Sequence, residues 1–446
     1  MAIVLVADVL RSRRASGSAL AWMLAIVLAP YLGVPLYLVL GGRKMKRSAD
    51  RKQPLYVRPA GPVEAHSDVE RILLGVGSPP SRPGNRVELL ETGEAAFASL
   101  VALIDSASET LDLSTLILAD DDVGTVIVER LMARARAGVR VRVLIDALFR
   151  LRSSRRQLSA LARDGGQVAW FMPVVHVPFR GHANLRLHRK LVVVDGREAI
   201  LGGMNIAHEY MGPTPDPMRW RDLSMRLWGP AVGDVSRVFL SDWQFATHRA
   251  SGAAADQAPA AEPPPAHPGH ATVQVVGSGP DVASDRIYDA LLMSVFAARQ
   301  RLWIATPYFV PDEALAKAFG LAARRGVDVR ILVPARSNHR IADYAGASYL
   351  RDIVDAGGQV LCFGPGMMHA KVVVIDDALG ILGSANVDMR SLLLDYEIAL
   401  FFSTPPEIRA LAHWFEASLE HVRPLGPARR GRRLAEDVAR VLGPLI

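Results

Sequence analysis

The chain repeats itself once, and this internal repeat restricts its fold more than any other feature of the sequence. RARAGVRVRVLIDAL at residues 134–148 resembles AARRGVDVRILVPAR at residues 322–336. LARDGGQVAWF at residues 161–171 resembles IVDAGGQVLCF at residues 353–363. In each copy, apolar runs rich in valine predict buried strands, and helical segments alternate with them. The repeat therefore predicts two α/β domains in tandem.

An alanine- and proline-rich stretch, SGAAADQAPAAEPPPAHPGH, separates the two copies at residues 251–270. This composition offers too little apolar surface for a core and is typical of a linker. We therefore predict a first domain over residues 86–250 and a second domain over residues 271–446.

One motif follows the repeated segments in both copies. The first copy reads HRKLVVVDGREAILGGMN from His188 to Asn205, and the second reads HAKVVVIDDALGILGSAN from His369 to Asn386. Both fit the pattern H-x-K-x4-D-x6-G-[GS]-x-N without a gap. A single H-x-K has almost no diagnostic value. A run of matched positions at equivalent places in a repeat indicates that the two stretches form one site.

The spacing of histidine and lysine in the motif places both side chains on one face of an extended strand, because residues i and i+2 point the same way. We expect His188 to share a face with Lys190, and His369 to share a face with Lys371. If the domains pack face to face, the site holds two imidazoles and two ammonium groups. Such a positive, donor-rich site suits the oxyanion of a phosphodiester.

The remaining motif positions predict turns and further donors. Asp195 and Asp376 begin a turn, where aspartate commonly accepts backbone N–H groups, so a structural role is favoured over direct chemistry. Asn205 and Asn386 supply amide donors to the site, and Ser384 adds a hydroxyl in the second copy alone.

Histidine suits both halves of a group transfer at neutral pH. Its unperturbed pKa of about 6.5 leaves neutral and protonated imidazole accessible. A neutral imidazole can attack phosphorus, while a protonated one gives its proton to the departing alcohol. The sequence lacks paired Cys/His spacing and an acidic cluster, and lysine is a poor ligand, so we expect neither a metal ion nor another cofactor.

Two carboxylates follow the motifs at similar distances, Asp222 in MRWRDLSMRLWGPAV and Glu397 in RSLLLDYEIAL. A carboxylate that accepts the imidazole N–H would fix the tautomer and the orientation of the ring. On spacing alone, an ordinary surface acid or ion-paired acid is an equal alternative.

Residues 18–40 carry no charged side chain and are numerous enough to span a bilayer as one helix. Basic residues flank this run on both sides, and the heavier cluster at residues 43–52 predicts a cytoplasmic downstream chain. A cleaved signal peptide and a buried core helix are the alternatives. We predict a membrane anchor over residues 1–45 and a juxtamembrane linker over residues 46–85.

The chain is basic, with a formal net charge of +7 at pH 7. This charge suits anionic partners such as lipid head groups or nucleic acid, without choosing between them. The single cysteine, Cys362, excludes an intramolecular disulfide, which fits a reducing compartment.

The duplicated His-Lys-Asp pattern resembles the signature of the phospholipase D superfamily. The stretches GGMNIAHEYMG, WRDLSMRLWGPAV, ATPYFVPDEAL and ALAWMLAIVLAPYLGVPLYLVLGGRK look like those of bacterial cardiolipin synthases. The resemblance implies two phospholipase-D-like α/β/α sandwich domains with a pseudo-twofold interface, after an N-terminal transmembrane segment. It also implies an enzyme of a bacterial cell membrane that converts two phosphatidylglycerols into cardiolipin and glycerol. Its partners would be anionic phospholipids and the membrane, not nucleic acid.

For the site, the resemblance implies that one histidine becomes phosphatidylated while the other acts as an acid and then as a base. The set implied to be catalytic comprises His188, Lys190, Asp195, His369, Lys371 and Asp376. The side chains implied to bind phosphate oxygens, beside the two lysines, are Asn205, Asn386 and Ser384, and those implied to orient the imidazoles are Asp222 and Glu397. Gly203 stands where the second copy has Ser384, so the sequence leaves open which histidine attacks.

Three other functions remain open from the sequence. Water could resolve the same covalent intermediate, which would give a phospholipase D hydrolase with the same site residues. A nuclease of the superfamily also cleaves phosphodiesters, but the apolar N-terminal run and the absence of a basic groove with interleaved aromatic residues argue against it. A non-catalytic lipid-binding protein is disfavoured because both motifs are intact.

Overall fold

The computed structural model describes residues 2–11, 16–40, 52, 55–56, 61, 64–172, 185–247, 269–282, 284–364 and 366–442. Its N-terminal helices are α1 (Ala2–Arg11), α2 (Ser16–Leu28) and α3 (Pro30–Leu40). The single long helix predicted over residues 18–40 is wrong, because the apolar run is divided at Ala29. Pro30 lacks an N–H group and its ring would clash with the carbonyl one turn earlier, so it ends α2 and begins α3.

Helices α2 and α3 fold back on each other as a hairpin. The rings of Trp22 and Tyr37 meet edge to face, with centroids 5.2 Å apart. A Cβ atom at Gly33 would lie 2.1 Å from the carbonyl oxygen of Ala25, so the two backbones are in close contact. Tyr37 also donates a hydrogen bond to Asp8 of α1 at 2.7 Å. Within the described ranges, no helix has both the length and the apolar character that a bilayer span requires.

The first repeat forms one half of a 15-stranded sheet. Its strands are β1 (Arg82–Leu90), β2 (Thr110–Thr115), β3 (Arg140–Asp146), β4 (Gln167–Phe171), β5 (Leu191–Val194), β6 (Glu198–Gly202) and β7 (Ser224–Trp228). Its helices are α5 (Gly93–Ser106), α6 (Asp122–Arg136), α7 (Arg155–Arg163) and α8 (Ala231–Thr247), with a 3-10 turn at Ala147–Arg152, and helix α4 (Asp68–Gly75) precedes β1. Every residue of β2 is buried, as expected of a central strand that helices cover on both faces.

The second repeat forms the other half. Its strands are β8 (Ala271–Ser278), β9 (Arg301–Ala305), β10 (Phe309–Val310), β11 (Asp328–Pro334), β12 (Gln359–Phe363), β13 (Val372–Ile375), β14 (Leu379–Gly383), β15 (Val387–Asp388), β16 (Glu397–Phe402) and β17 (Val422–Pro424). Its helices are α9 (Arg286–Ala297), α10 (Glu313–Arg324), α11 (Arg340–Asp355), α12 (Met389–Leu393), α13 (Pro405–Ala417) and α14 (Arg430–Leu442), with a 3-10 turn at Ser418–His421. Strands β10 and β15 pair with each other apart from the large sheet.

The strand order shows the duplication directly. The first half runs β4-β3-β2-β5-β6-β7-β1, and the second half continues β8-β16-β14-β13-β9-β11-β12-β17. Counted outward from the junction, β1 corresponds to β8, β5 to β13 and β3 to β11. Strands β1 and β8 pair antiparallel at the junction, with Asn85 opposite Ala271. Antiparallel pairing of equivalent strands relates the two repeats by a pseudo-twofold axis.

Three hydrophobic cores fill the layers around the sheet. Helices α8 and α13 cover one face, and their Trp243 and Trp414 belong to a core shared by both repeats. On the other face, the first repeat has its own core beneath α5 and α6. The second repeat has a separate core beneath α9 and α10. Two tandem α/β/α units that share one layer are therefore built around a continuous sheet.

The segment predicted as a juxtamembrane linker, residues 46–85, is partly folded into the second repeat. Ser67 caps α4 by accepting the N–H of Glu70. Val69 and Leu73 of α4 are buried in the core beneath α9. This segment therefore packs against the α/β domains through a short amphipathic helix with its own N-cap. The predicted linker at residues 251–270 lies outside the described residues except for residues 269–270.

Candidate active site

His188 and His369 lie in extended segments directly before β5 and β13, not within those strands as predicted. Each segment is bound by the backbone of the opposite repeat. The N–H of His188 donates to the carbonyl of Tyr396 at 2.9 Å, and the N–H of His369 donates to the carbonyl of Arg221 at 2.8 Å. These two equivalent bonds bring the motif of each repeat against the other repeat.

The carboxylates that hold the imidazoles are exchanged between the repeats. Nδ1 of His188 lies 2.8 Å from Oε1 of Glu397, which begins β16. Nδ1 of His369 lies 2.6 Å from Oδ2 of Asp222, just before β7. A carboxylate acceptor fixes the proton of a neutral imidazole on Nδ1 and leaves the lone pair on Nε2. Both rings therefore have a defined reactive nitrogen.

Gly203 and Ser384 occupy equivalent motif positions next to carboxylates of different length. Ser384 donates its hydroxyl to the second carboxylate oxygen of Glu397. At Gly203, a Cβ atom would lie 2.1 Å from Oδ1 of Asp222, so no side chain fits there. That oxygen of Asp222 accepts the N–H of Leu223 at 2.7 Å instead. The difference between the two motifs therefore follows their carboxylates. Glycine lies next to the aspartate, and serine lies next to the glutamate.

Lys190 and Lys371 are buried within the same site. Nζ of Lys190 donates to the carbonyl of His188 at 2.6 Å, and Nζ of Lys371 donates to the carbonyl of His369. Burial lowers the pKa of Lys190 to about 7 and that of Lys371 to about 8. Burial therefore disfavours the charged form of both amines, and an anionic ligand would stabilise that form.

The two carboxylates keep their charge despite their burial. Burial alone would raise the pKa of Glu397, but His188 and Lys190 outweigh it and the pKa falls below its usual range. Burial opposes ionisation of Asp222 in the same way, and Lys371 reverses the effect, so that its pKa is also lowered. Both groups are therefore competent acceptors for an imidazole N–H.

Both imidazoles favour the neutral form in the free site. Burial lowers the pKa of His188, Lys190 adds to the effect, and Glu397 opposes it. Burial, with Lys371 nearby, lowers the pKa of His369 to about 3. A neutral imidazole is the form that attacks phosphorus, while protonation of the partner imidazole must accompany the arrival of negative charge.

The surroundings of the two imidazoles differ. The ring of His369 lies between aromatic rings, with centroid distances of 5.0 Å to Tyr210 and 5.2 Å to Trp220. The side chain of His188 is 13% exposed, against 6% for His369. The aromatic neighbours restrain His369 more tightly, and the sequence alone did not indicate them.

The motif asparagines bind neighbouring residues in the free site. Oδ1 of Asn205 accepts the N–H of Ile117 at 3.3 Å, and the same amide hydrogen-bonds Tyr210. Asn386 hydrogen-bonds Asp388, and its Oδ1 is buried without a hydrogen-bond partner among the described residues. The predicted contact of these amides with phosphate therefore remains a prediction.

Asp195 and Asp376 hold turns at the far ends of β5 and β13. Asp195 accepts the backbone N–H groups of residues 108–110 at 2.7–2.9 Å, and Asp376 accepts those of residues 299–301 at 2.7–2.9 Å. Their backbones adopt φ values of +52° and +50°, which aspartate tolerates better than most residues. The turn role favoured from the residues is confirmed. These contacts join neither side chain to an imidazole, and the catalytic grouping implied by the resemblance stays a prediction.

A group of possible metal ligands lies elsewhere. Within the described residues, Asp121, His208 and Glu209 bring one ligand atom each within 4.8 Å of one another, with His208 exposed. The imidazoles of His188 and His369 do not belong to this group. The expectation that catalysis needs no metal ion or cofactor stays a prediction.

Comparison with known proteins assigns the family. A family profile described as "Cardiolipin synthase, PLD-like domain" matches residues 100–215 and 292–419. Cardiolipin synthase A of Pseudomonas aeruginosa is 35% identical over 98% of this chain and 92% of its own length. The chain belongs to the cardiolipin synthase family. Cardiolipin synthase of Geobacillus kaustophilus is 31% identical over 97% of this chain and 90% of its own length.

Family membership confirms the resemblance read from the motifs. A further profile, described as "Phospholipase_D-nuclease N-terminal", matches residues 1–42, which include α1, α2 and α3. Phosphatidylserine synthase of Haemophilus influenzae Rd KW20 shares the fold with a TM-score of 0.61 at 17% identity, over 81% of this chain and 95% of that chain. The two ranges that the PLD-like profile matches lie in the two repeats, and the solved structure shares their fold.

Proposed function

We propose that the chain is a phosphatidyltransferase that joins two phosphatidylglycerol molecules into cardiolipin through a phosphatidyl-histidine intermediate. One observation carries the proposal: two imidazoles in one site, each held at Nδ1 by a carboxylate, at 2.8 Å for His188 and 2.6 Å for His369. Nε2 is the ring nitrogen that neither carboxylate contacts, and we assign it to chemistry on a phosphodiester; in His369 it also lies 3.3 Å from Nζ of Lys371. One serves as nucleophile and the other as general acid and base.

The first half-reaction forms the covalent intermediate. A neutral imidazole attacks phosphorus through Nε2, and a P–N bond forms. The P–O bond to the head-group glycerol breaks, and the protonated imidazole of the other motif gives its proton to the departing oxygen. Glycerol leaves, the phosphatidyl group stays on the first histidine, and the second imidazole becomes neutral.

The second half-reaction reverses these roles with a different alcohol. The neutral imidazole takes the proton from the head-group hydroxyl of a second phosphatidylglycerol. That oxygen attacks phosphorus, the P–N bond breaks, and cardiolipin is released. Both imidazoles then return to their starting protonation states, as a transferase cycle requires.

Lys190 and Lys371 supply the positive charge for the phosphate. Burial holds their pKa values at about 7 and about 8 in the free site, and an incoming anion stabilises their charged forms. The same anion favours protonation of the imidazole that acts as the acid. We propose that Asn205 and Asn386 turn their amides to the non-bridging oxygens once the phosphate is bound.

Exposed apolar side chains that follow the carboxyl ends of β3 and β11 support a lipid substrate. Leu148 and Leu151 follow β3 and are 46% and 88% exposed. Ile341 and Tyr344 follow β11, at the equivalent place in the second repeat, and are 60% and 40% exposed. We call these four residues the apolar lips. Paired apolar surfaces of this kind suit insertion between lipid chains and do not suit a nucleic-acid groove.

The apolar lips are connected to the site, and exposed arginines lie close to them in the sequence. Asp146 ends β3 directly before the first lip, and its carboxylate accepts the N–H of Leu187, next to His188, at 2.7 Å. The exposed arginines close to the lips in the sequence include Arg150, Arg155, Arg336 and Arg340. Positive charge around an apolar insertion favours an anionic membrane surface.

We propose further that the N-terminal helices bring the enzyme to the bacterial cell membrane, with the two repeats on the cytoplasmic side. The hydrophobic faces of α2 and α3 and the match of residues 1–42 to the N-terminal profile support membrane association. The basic residues that favour this orientation, at positions 43–51, lie outside the described residues.

Purified full-length protein in detergent tests the reaction. Phosphatidylglycerol is added, and lipid products are followed by mass spectrometry with and without excess glycerol. We expect cardiolipin, and we expect added glycerol to reverse its formation. Phosphatidic acid as the sole product would overturn the transferase in favour of a hydrolase, because water would then be the acceptor.

A further inference from the structure

A buried cluster of four charges lies behind His188. Nζ of Lys52 is 2.5 Å from Oδ1 of Asp242 and 2.8 Å from Oδ2 of Asp281. The guanidinium of Arg189 donates to the other oxygen of Asp242. None of these four side chains is more than 2% exposed. Two cations and two carboxylates balance each other out of contact with water, and the buried Arg286 adds a favourable charge interaction with Asp281.

Each charged side chain in the cluster compensates the buried charge of its partners. Removing one partner from a buried ion pair leaves a charge without compensation, whereas removing both partners restores neutrality. Asp281 depends on Lys52 in particular: burial alone would raise its pKa, and Lys52, followed by Arg189, reverses the effect. Loss of Lys52 would leave a net negative charge in this cluster.

Arg189 connects the cluster to the reactive imidazole. It stands between His188 and Lys190 in the first motif, and its Nε donates to the carbonyl of Glu397 at 3.0 Å. Another nitrogen of the same guanidinium donates to the carbonyl of Ser278 at 2.9 Å. Glu397 in turn holds Nδ1 of His188. A continuous series of contacts therefore runs from the charge cluster to the imidazole.

Lys52 comes from the segment that joins the N-terminal helices to the catalytic body. Helix α3 ends at Leu40 and β1 begins at Arg82, so Lys52 belongs to neither. Farther along the same segment, Leu55 is buried in the core shared by both repeats. The hydroxyl of Tyr56 accepts the N–H of Gly277 in β8 at 3.3 Å.

The segment also bridges the two repeats. Asp242 lies on α8 of the first repeat, while Asp281 follows β8 of the second repeat. The ammonium group of Lys52 lies 4.7 Å from the centre of the Tyr396 ring, next to Glu397. The connector from the N-terminal helices is therefore inserted behind the active site, where both repeats contact it.

We propose that Lys52 is a positioning residue through which the N-terminal connector sets the place of Glu397 and thereby the orientation of His188. The inference rests on the proposed function and deepens it. It assigns a part in turnover to a segment that carries none of the motif residues. The connector is then part of the active-site support and not only a tether between the N-terminal helices and the enzyme.

Full-length Lys52→Met tests the proposal, with Arg71→Met as the matched control. Arg71 is 59% exposed and pairs with an equally exposed acid on α4, so its loss removes a cation without burying a charge. We expect Lys52→Met to lower kcat roughly tenfold to a hundredfold with the KM for phosphatidylglycerol little changed, since misplacement of a reacting group costs rate more than binding. Arg71→Met is expected to keep both constants.

The double variant Lys52→Met/Asp281→Asn separates positioning from simple loss of stability. It removes one cation and one carboxylate, so the remaining pair of Arg189 and Asp242 is neutral again. We expect it to recover most of the lost kcat. If Lys52→Met does not fold, the double variant and the single Asp281→Asn variant are compared with wild type instead, and recovery in the double relative to Asp281→Asn supports the proposal.

Turnover is measured as consumption of phosphatidylglycerol, whichever product forms, and melting temperature is recorded for each variant. Absence of cardiolipin in the wild-type assay would count against the proposed function and leave the positioning role measurable. A wild-type kcat in Lys52→Met would overturn the positioning role. So would a double variant as slow as Lys52→Met, or a kcat that follows melting temperature in every variant.

Discussion

Asp222 of the first repeat accepts the Nδ1 proton of His369 of the second repeat, with 2.6 Å between the two atoms. Glu397 of the second repeat does the same for His188 of the first, at 2.8 Å. Neither repeat therefore contains a complete imidazole–carboxylate pair from its own residues. The duplicated chain is one catalytic unit, and each repeat supplies the group that prepares the other repeat's histidine.

Replacing either histidine is expected to abolish turnover of phosphatidylglycerol. An activated diester with a p-nitrophenol leaving group needs no general acid, because p-nitrophenolate departs without a proton. We expect one of the variants His188→Ala and His369→Ala to retain a burst of p-nitrophenol, measured by stopped-flow absorbance. The variant without a burst then lacks the nucleophile. Full activity on phosphatidylglycerol in either variant would contradict the two-histidine mechanism.

Glu397→Gln and Asp222→Asn are expected to lower kcat by roughly a hundredfold to ten-thousandfold, since a neutral amide no longer fixes the tautomer or stabilises the imidazolium. Steady-state assays of purified variants measure the effect. Asp377→Asn is the control, because this carboxylate is 75% exposed and lies outside the site. Equal losses in Asp377→Asn would show that the assay reports something other than imidazole orientation.

Gly203→Ala is expected to lower kcat by about a hundredfold or more, because the new Cβ would displace the carboxylate of Asp222 from His369. Ser384→Ala removes one hydrogen bond to Glu397 without adding atoms, and a loss of about tenfold is expected. Both effects are measured as kcat at saturating phosphatidylglycerol. If Ser384→Ala were the more damaging change, the steric argument at Gly203 would be wrong.

The pH profile of kcat/KM reports the lysines of the free enzyme. The pKa of Lys190 is about 7 and that of Lys371 about 8, so a rise in pH through this range removes the cations that bind the anionic diester. We expect kcat/KM to fall as pH rises from about 7 to 9. Lys190→Arg keeps its charge at every such pH, so the falling limb of the profile should shift to higher pH. A flat profile in wild type would contradict this role.

Leu151→Asp and Ile341→Asp are expected to weaken binding to vesicles that contain phosphatidylglycerol, because a carboxylate cannot enter the lipid chains. Sedimentation with vesicles measures binding. Leu321→Asp is the matched control, since Leu321 is 45% exposed on α10, away from the lips. Turnover of a soluble short-chain phosphatidylglycerol should be unchanged in all three variants. Unchanged vesicle binding in both lip variants would remove the apolar lips as a docking surface.

Much of the site follows from the sequence because the motif is local. The histidine, lysine and asparagine of each copy are close along the chain, so their spacing alone predicts a shared site. The turn role of Asp195 also follows from local chemistry, since a strand end with positive φ favours aspartate. The exchange of Asp222 and Glu397 between repeats could not be predicted, because it depends on how two distant segments pair.

Two other features of the structure were not predicted from the sequence. Residues 18–40 are apolar throughout, but hydrophobicity does not reveal that Pro30 divides them into two short helices. Lys52 looked like one of several basic residues in a linker, and only its burial between Asp242 and Asp281 shows a different role. The break at Pro30 follows from local proline geometry, whereas the place of Lys52 depends on tertiary contacts that composition does not encode.

The pairing of β1 with β8 continues one sheet from the first repeat into the second. Opening the site by swinging one repeat away from the other would break that hydrogen-bonded seam and divide the core beneath it. We therefore expect glycerol to leave, and the second lipid to arrive, without a hinge motion between the two repeats.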